Sequence, residues 1–217
     1  GCDKNLVDSE NMLGSLTAEG YQITDDENDA DVIVINTCSF IHDAQEESVE
    51  NILEMAQHRK EGKCRALIVT GCLAQLYGSD ILDELPEVDA VVGTASIDRL
   101  PAIIDRIEKG ERITDKKELT GIPGFKNSRV VTTGGHFEYL KIAEGCSKRC
   151  TYCIIPYLRG NYRSIPVEML TEEAKKLAAN GVTELNIVAQ ETTVYGIDLY
   201  GRKMLHVLLE KLCEIEE

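Results

Sequence analysis

The sequence has no apolar run approaching the ~18–20 residues that a helix needs to cross a bilayer, and its opening, GCDKNLVDSE, is not a signal peptide. From these features neither a membrane-spanning helix nor a secretory leader is expected. With 43% hydrophobic residues, the chain reads as a soluble globular protein. A basic excess is lacking too: 23 Lys and Arg face 38 Asp and Glu, a formal net charge of −15. Tight nucleic-acid binders normally present a basic face to phosphate, so binding RNA through the bulk surface is disfavoured and a neutral or basic partner is favoured. There is no low-complexity tract. An initiator methionine is missing, and the last residues, KMLHVLLEKLCEIEE, stop inside an apparent helix, so the chain is expected to be a fragment.

What is present is enough for a real core: 217 residues hold one large domain or two small ones. Eight cysteines without a secretory leader point to a reducing, cytoplasmic compartment, where clustered thiols more often bind metal or do redox chemistry than form disulfides. Over the first ~110 residues, DVIVINTC (31–38), ALIVTGC (66–72) and DAVVGT (89–94) are near-continuous apolar strands of the kind buried in a parallel sheet. Helices alternate with them. One carries Val49, Ile52, Leu53 and Met55 at helical spacing, and another Leu100, Ile103, Ile104 and Ile107. Such alternation predicts a three-layer α/β domain over 1–110. Residues 111–137 are charged and punctuated by Gly and Pro, and read as a linker. A second βα series over 138–217 has strands in FEYLKIAEGC and TELNIVAQ. Its helices are PVEMLTEEAKKLAANG and a terminal one with Leu205, Leu208, Leu209 and Leu212 on its apolar side.

Cys146, Cys150 and Cys153, in EGCSKRCTYCIIP, follow a strand directly and so fall on a loop at its C-terminal edge, where α/β proteins place their sites. Structural zinc normally takes four ligands from paired knuckles, and no partner knuckle or nearby His follows here. A cuboidal 4Fe-4S cluster held by three thiolates fits better, because its fourth iron keeps an open position able to bind a substrate's amine and carboxylate. Zinc and free thiols remain the alternatives. Cys2, Cys38 and Cys72 are spaced by 36 and then 34 residues, about one βα unit, and Cys38 and Cys72 each end a predicted parallel strand. Neighbouring parallel strands align their C-terminal tips, so these three thiols can converge on a second three-cysteine cluster. Three small buried residues at strand ends is the plainer reading. Cys64 and Cys213 fit neither set and read as structural.

The spacing C-x3-C-x2-C, with Tyr152 before the last cysteine, resembles the radical S-adenosylmethionine (SAM) superfamily. In that superfamily the open iron chelates the methionine moiety of SAM and an electron from the cluster cleaves the sulfonium. Chelation makes that transfer effectively intramolecular. Three cysteines in an N-terminal α/β domain, a linker, then this motif opening a second domain together resemble the methylthiotransferase family. The stretches GCDKNLVDSE, NTCSFIHDAQEES, YLKIAEGCSKRCTYCIIPYLRG and AQETTVYGIDLYG are most similar to its branch acting on the twelfth protein of the small ribosomal subunit. That branch more often has Pro where this chain has Asp3.

The resemblance implies a fold class, α/β: a parallel-sheet three-layer domain plus the first part of a radical SAM (β/α) barrel, with the remaining barrel and a small β domain called TRAM absent. It implies two 4Fe-4S clusters, an auxiliary one on Cys2, Cys38 and Cys72 and one on Cys146, Cys150 and Cys153, with SAM as cofactor. The reaction implied is transfer of a methylthio group to the β-carbon of an aspartate, a C–H bond that a radical rather than a base must open. The partners implied are a ribosomal protein, free or on the ribosome, and an electron donor, with no membrane and no direct tRNA substrate. The fragment alone is expected to lack full activity. A tRNA-modifying methylthiotransferase and a non-catalytic metal-stabilised binding module are the alternatives. Tyr152 is assigned to the adenine by resemblance, with simple packing as the alternative. Gln190 and Glu191 end the second strand, where a SAM-facing role and a turn cap are both open. Lys148, Arg149, Arg159 and Arg163 form a basic patch read as solvated. His42, His58, His136 and His206 show no ligand pairing in the sequence.

Overall fold

The computed structural model describes residues 1–122, Gly124 and 129–215. They form two compact units, residues 1–119 with 124 and 129, and residues 120–122 with 130–215.

In the first unit α1 (Asp3–Ala18) leads into β1 (Val32–Thr37), α2 (His42–Glu61), β2 (Ala66–Gly71), α3 (Cys72–Tyr77), α4 (Ser79–Glu84), β3 (Ala90–Val92), α5 (Leu100–Ile107) and β4 (Ile113–Asp115). The four strands are parallel in the order β1-β2-β3-β4, with Val32 opposite Ala66, Ile68 opposite Ala90 and Ala90 opposite Ile113. Every residue of β2 is buried, which its unbroken apolar run requires when helices cover both faces. Met12 and Leu16 of α1 join Leu100, Ile103 and Ile104 of α5 over one face, against Ile68 and Val92. Ile52 and Ala56 of α2, Leu73 of α3 and Ile81 and Leu82 of α4 cover the other, against Leu67, Val69 and Val91. Each such side chain contributes roughly 1.5–3 kcal/mol by leaving water.

The structure corrects two details. On α2, Ile52 is buried but Val49 and Leu53 are 42% and 50% exposed, because Ser48, Ile52 and Ala56 form the row that faces the sheet. The stretch read as a linker opens with β4, which extends the sheet to Asp115. Within that stretch, residues 123 and 125–128 lie outside the described residues.

In the second unit β5 (Phe137–Lys141) runs parallel to a later strand, and a two-residue strand, β6 (Ala143–Glu144), follows it at once. Next come α6 (Ile155–Arg159), β7 (Arg163–Ser164), α7 (Val167–Ala179), β8 (Glu184–Val188), α8 (Ile197–Tyr200) and α9 (Leu205–Cys213). β5 pairs with β8 with Lys141 opposite Val188, while β6 pairs antiparallel with β7. The chain therefore turns out of one sheet into a second ladder at Ile142, whose N–H donates to Val188 O (3.0 Å) and whose O accepts from Ile165 N (2.9 Å). Leu170, Ala174 and Leu177 of α7 are buried and make it the helical crossover between the two parallel strands. On α9, Leu208 is buried and Leu209 is exposed. Among the described residues, no helix is long and apolar enough to cross a membrane.

Candidate metal centres

Thr37 and Gly71 are the last paired positions of β1 and β2, so Cys38 and Cys72 leave adjacent parallel strands at the same C-terminal edge. The two tips approach closely because residue 71 is glycine, with φ of 91°. A Cβ on it would meet Thr37 N at 2.7 Å and would also strike Thr37 O and Asn36 Oδ1. Cys38 is fastened to α2 by the buried Ser48, whose Oγ accepts from Cys38 N (3.0 Å) and lies 3.0 Å from Cys38 O and 2.7 Å from Ala44 O. Cys72 is the first residue of α3.

Cys2 caps the start of α1, and the first turn of that helix is tied to the same edge. Asn5 Nδ2 donates to Thr37 O (3.1 Å) and Asn36 Oδ1 (3.0 Å), and Asn36 Nδ2 returns bonds to Asn5 O (2.9 Å) and Ser9 Oγ (2.8 Å). The backbone around Cys2 is thereby held at the β1 tip that Cys38 follows. Cys2 is exposed, and Cys38 and Cys72 are half-buried. Cys64 is buried at the opposite end of β2, where burial pushes its thiol pKa up, as suits a packing residue.

The second triad lies on the loop between β6 and α6. Gly145, at φ 77°, starts it against the loop's far end, where a Cβ would collide with the carbonyls of Arg159, Gly160 and Asn161. Cys146 N donates to Gly160 O (3.0 Å), which closes the loop at its base, and Cys153 N donates to Cys150 O (3.0 Å), which forms the turn of the C-x2-C pair. Between them Arg149 adopts φ of 49°, uncommon for a non-glycine residue. Cys150 is exposed and Tyr152 is 90% exposed, so Tyr152 packs against nothing within this structure. A tetrahedral zinc at about 2.3 Å from each thiolate would need sulfurs about 3.8 Å apart. Among the described residues, the one set of three ligand atoms lying within 4.8 Å of one another is His42, Asp43 and Glu46, all exposed at the start of α2. Neither cysteine triad is gathered as a single-ion site. The sequence had given His42 no ligand partner, yet its Nδ1 is 3.4 Å from Glu46 Oε1.

Beneath the loop lies a buried polar hub that sequence reading missed. Glu144, 2% exposed, accepts from Lys141 Nζ (3.0 Å), Arg159 Nη1 (3.4 Å), Gln190 Nε2 (2.9 Å) and Gly145 N (3.3 Å). Burial alone would raise its pKa, but the Lys141 ammonium and Arg159 guanidinium outweigh burial and bring the carboxyl down to about 2. Glu191 is bonded by Lys148 from the cysteine loop and by Thr193 N (3.0 Å), and these bonds lower its pKa to about 2. The basic patch is therefore not solvated as a whole. Arg159 is 2% exposed, Arg163 donates to the carbonyls of Gly121, Arg159 and Asn161, and Lys148 pairs with Glu191. The signal for the hub was the charge carried by Lys141 and Glu144, with Glu138, inside the strand stretch FEYLKIAEGC.

A profile of the Radical SAM superfamily matches residues 140–216, and one described as uncharacterized protein family UPF0004 matches residues 1–93. Over its whole length the chain is 59% identical to the ribosomal protein uS12 methylthiotransferase RimO of Lachnoclostridium phytofermentans. It is 50% identical to that of Pelotomaculum thermopropionicum and 47% to that of Clostridioides difficile, and it covers 49% of each of the three. The chain thus spans about half the length of the curated relatives it matches. Among solved structures, it is similar to the radical S-adenosylmethionine methyltransferase TsrM from Kitasatospora setae with cobalamin and a [4Fe-4S] cluster bound. The TM-score is 0.64 over 97% of this chain and 48% of that one, at 14% identity, so the likeness is one of fold. With β5, α7 and β8 as its opening units, the second unit is the first part of a radical SAM barrel.

Proposed function

Because the chain belongs to the radical SAM methylthiotransferases and is most like those named RimO, we propose that it is the first half of an enzyme that attaches a methylthio group to the β-carbon of an aspartate in ribosomal protein uS12. The observation that carries this reading is 59% identity across all of a chain whose motif cysteines lie at the start of α1, after β1, at the start of α3 and on the loop that follows β6. In this reading residues 1–110 form the auxiliary-cluster domain, extended by β4, and residues 138–217 begin the barrel after the segment 111–137.

Cys2, Cys38 and Cys72 hold one 4Fe-4S cluster, and Cys146, Cys150 and Cys153 hold the other. The donor sets fit, since each offers three soft thiolates at a strand's C-terminal edge. The carboxylates beside the second set are already committed, Glu144 to Lys141, Arg159 and Gln190 and Glu191 to Lys148 and Thr193, so neither is free to fill a fourth position. When bound, the clusters and SAM supply the sulfur, the methyl group and the radical that opens an unactivated C–H bond. The chain's own contribution is positioning. Gly145 and the Cys146–Gly160 bond close the cysteine loop, Lys148 and Glu191 join it to the segment after β8, and the exposed Tyr152 is available to the adenine. The formal charge of −15 suits a basic protein substrate better than RNA.

The test is to offer purified, anaerobically reconstituted full-length enzyme both uS12 and tRNA with SAM, and to read methylthiolation by mass. Modified uS12 and unmodified tRNA are expected. Modified tRNA beside unmodified uS12 would reverse the assignment, and zinc without acid-labile sulfide would defeat the enzyme reading altogether.

A further inference from the structure

We propose that Glu144 is the positioning residue of the three-cysteine loop and of Gln190, and that it orients the Gln190 amide so that Oε1 is left to accept a hydrogen bond from the bound cofactor. The inference rests on the reading of Cys146, Cys150 and Cys153 as a SAM-binding cluster.

Glu144 and Gln190 lie just beyond the C-terminal ends of β5 and β8, which are parallel neighbours with Lys141 opposite Val188. Ligands of α/β folds gather at that edge. From there, one carboxylate reaches both ends of the cysteine loop. At the entry Glu144 accepts from Gly145 N, the residue before Cys146, and at the exit it accepts from Arg159, which precedes the Gly160 carbonyl that Cys146 N bonds. Besides these and Lys141, it accepts from Gln190 Nε2 at 2.9 Å.

The direction of the Gln190 amide follows from that contact. A carboxylate beside a lysine and an arginine offers acceptors only, so the amide must turn its NH2 group toward Glu144. The opposite orientation would set two acceptor oxygens 2.9 Å apart. Oε1 is then committed to the other side. There it is buried and has no hydrogen-bond partner among the described residues. A buried amide oxygen without a donor is costly, and such groups in native proteins generally meet a ligand or an ordered water. SAM carries donors of the required kind in its ammonium, its ribose hydroxyls and its adenine amine.

Full-length enzyme carrying Cys2→Ala, Cys38→Ala and Cys72→Ala keeps only the loop cluster, which lets its electron paramagnetic resonance spectrum be read alone with and without SAM. In that background Gln190→Met, Glu144→Gln and the exchange Glu144→Gln with Gln190→Glu are compared for iron per protein, SAM affinity by equilibrium dialysis, and the SAM-induced spectral change. Gln190→Met is expected to weaken SAM binding about tenfold at unchanged iron content, and Glu144→Gln, which also loosens the cysteine loop, to weaken it about tenfold per loaded cluster, the scale of one lost hydrogen bond to a charged or strongly polar donor. The exchange should recover most of that loss, because the amide now at position 144 can donate to the carboxylate now at position 190, and an acceptor oxygen remains on the far side. A merely structural role would weaken SAM binding only in proportion to the iron lost and leave the exchange without rescue. SAM affinity within twofold of the parent in Gln190→Met overturns the proposal, and that variant decides even if Glu144→Gln does not fold. A parent cluster that ignores SAM is a different result, which overturns the proposed function and this inference with it.

Discussion

At Gly71 the backbone runs at φ 91° while Thr37 N, Thr37 O and Asn36 Oδ1 crowd the place where a Cβ would stand. Alanine there meets two penalties together, a left-handed backbone and a clash with main-chain atoms that cannot swing away. Gly71→Ala is therefore expected to cost roughly 2–4 kcal/mol in urea unfolding of the cluster-free protein. It should also lower iron incorporation, because the same displacement moves the β1 tip away from the β2 tip, and Cys38 and Cys72 follow those tips. Wild-type stability and full iron content in the variant would show that the close approach of the two tips is not needed. Ser48 acts at the same edge from a different element. Its hydroxyl oxygen accepts from Cys38 N while its one proton lies within reach of Ala44 O and Cys38 O, so the loop bearing that thiol is ordered by α2 and not by metal alone.

At the level of elements, the hub under the cysteine loop gives β5, β6, α6 and the segment after β8 a common buried anchor in Glu144, whose carboxyl is lowered from its ordinary 4.5 to about 2. A group whose folded pKa lies below its unfolded one stabilises the fold fully above the unfolded value, and that contribution is lost as pH falls through the folded value. Urea unfolding of cluster-free parent and Glu144→Gln at about pH 6 and about pH 3 should therefore give a difference that shrinks as the solution is acidified. A difference that stays constant with pH would show that the carboxylate is not held ionised by Lys141 and Arg159. The sequence disclosed strands such as DVIVINTC and ALIVTGC because a strand covered on both faces must be apolar throughout, a demand visible residue by residue. It concealed α1, whose buried positions alternate apolar Val7, Met12 and Leu16 with polar Asn5, Asp8, Glu10 and Asn11, so no hydrophobic stripe emerges. β4 was hidden by its length, three residues with a single buried apolar side chain, Ile113. Arg159 read as solvated because charge normally means solvent, while Lys141 and Glu144 passed without a role inside FEYLKIAEGC; only their mutual contact explains the burial of all three. The six cysteines could be singled out as candidate ligands because their spacing is written in the chain itself. The groups that hold them, Asn5, Asn36, Ser48 and Glu144, come from distant positions and carry no spacing signal.

For the molecule as a whole, the decisive question is whether two cysteine triads, one in each unit, load metal independently. Cys2, Cys38 and Cys72 belong to the unit of residues 1–119, and Cys146, Cys150 and Cys153 to that of residues 130–215. Each set is ordered by hydrogen bonds internal to its own unit, Asn5–Thr37 and Ser48–Cys38 in the first and Cys146–Gly160 and Glu144–Gly145 in the second. Loss of one set then leaves the scaffold of the other untouched. In full-length enzyme reconstituted without oxygen, replacing Cys146, Cys150 and Cys153 by alanine should remove half of the iron and half of the acid-labile sulfide, and replacing Cys2, Cys38 and Cys72 should remove the other half. Independence also predicts additivity, so the six-fold variant should be devoid of both elements while its circular dichroism keeps the helical content of the parent. Complete loss of iron from either triple variant, with secondary structure retained, would mean one shared site instead of two.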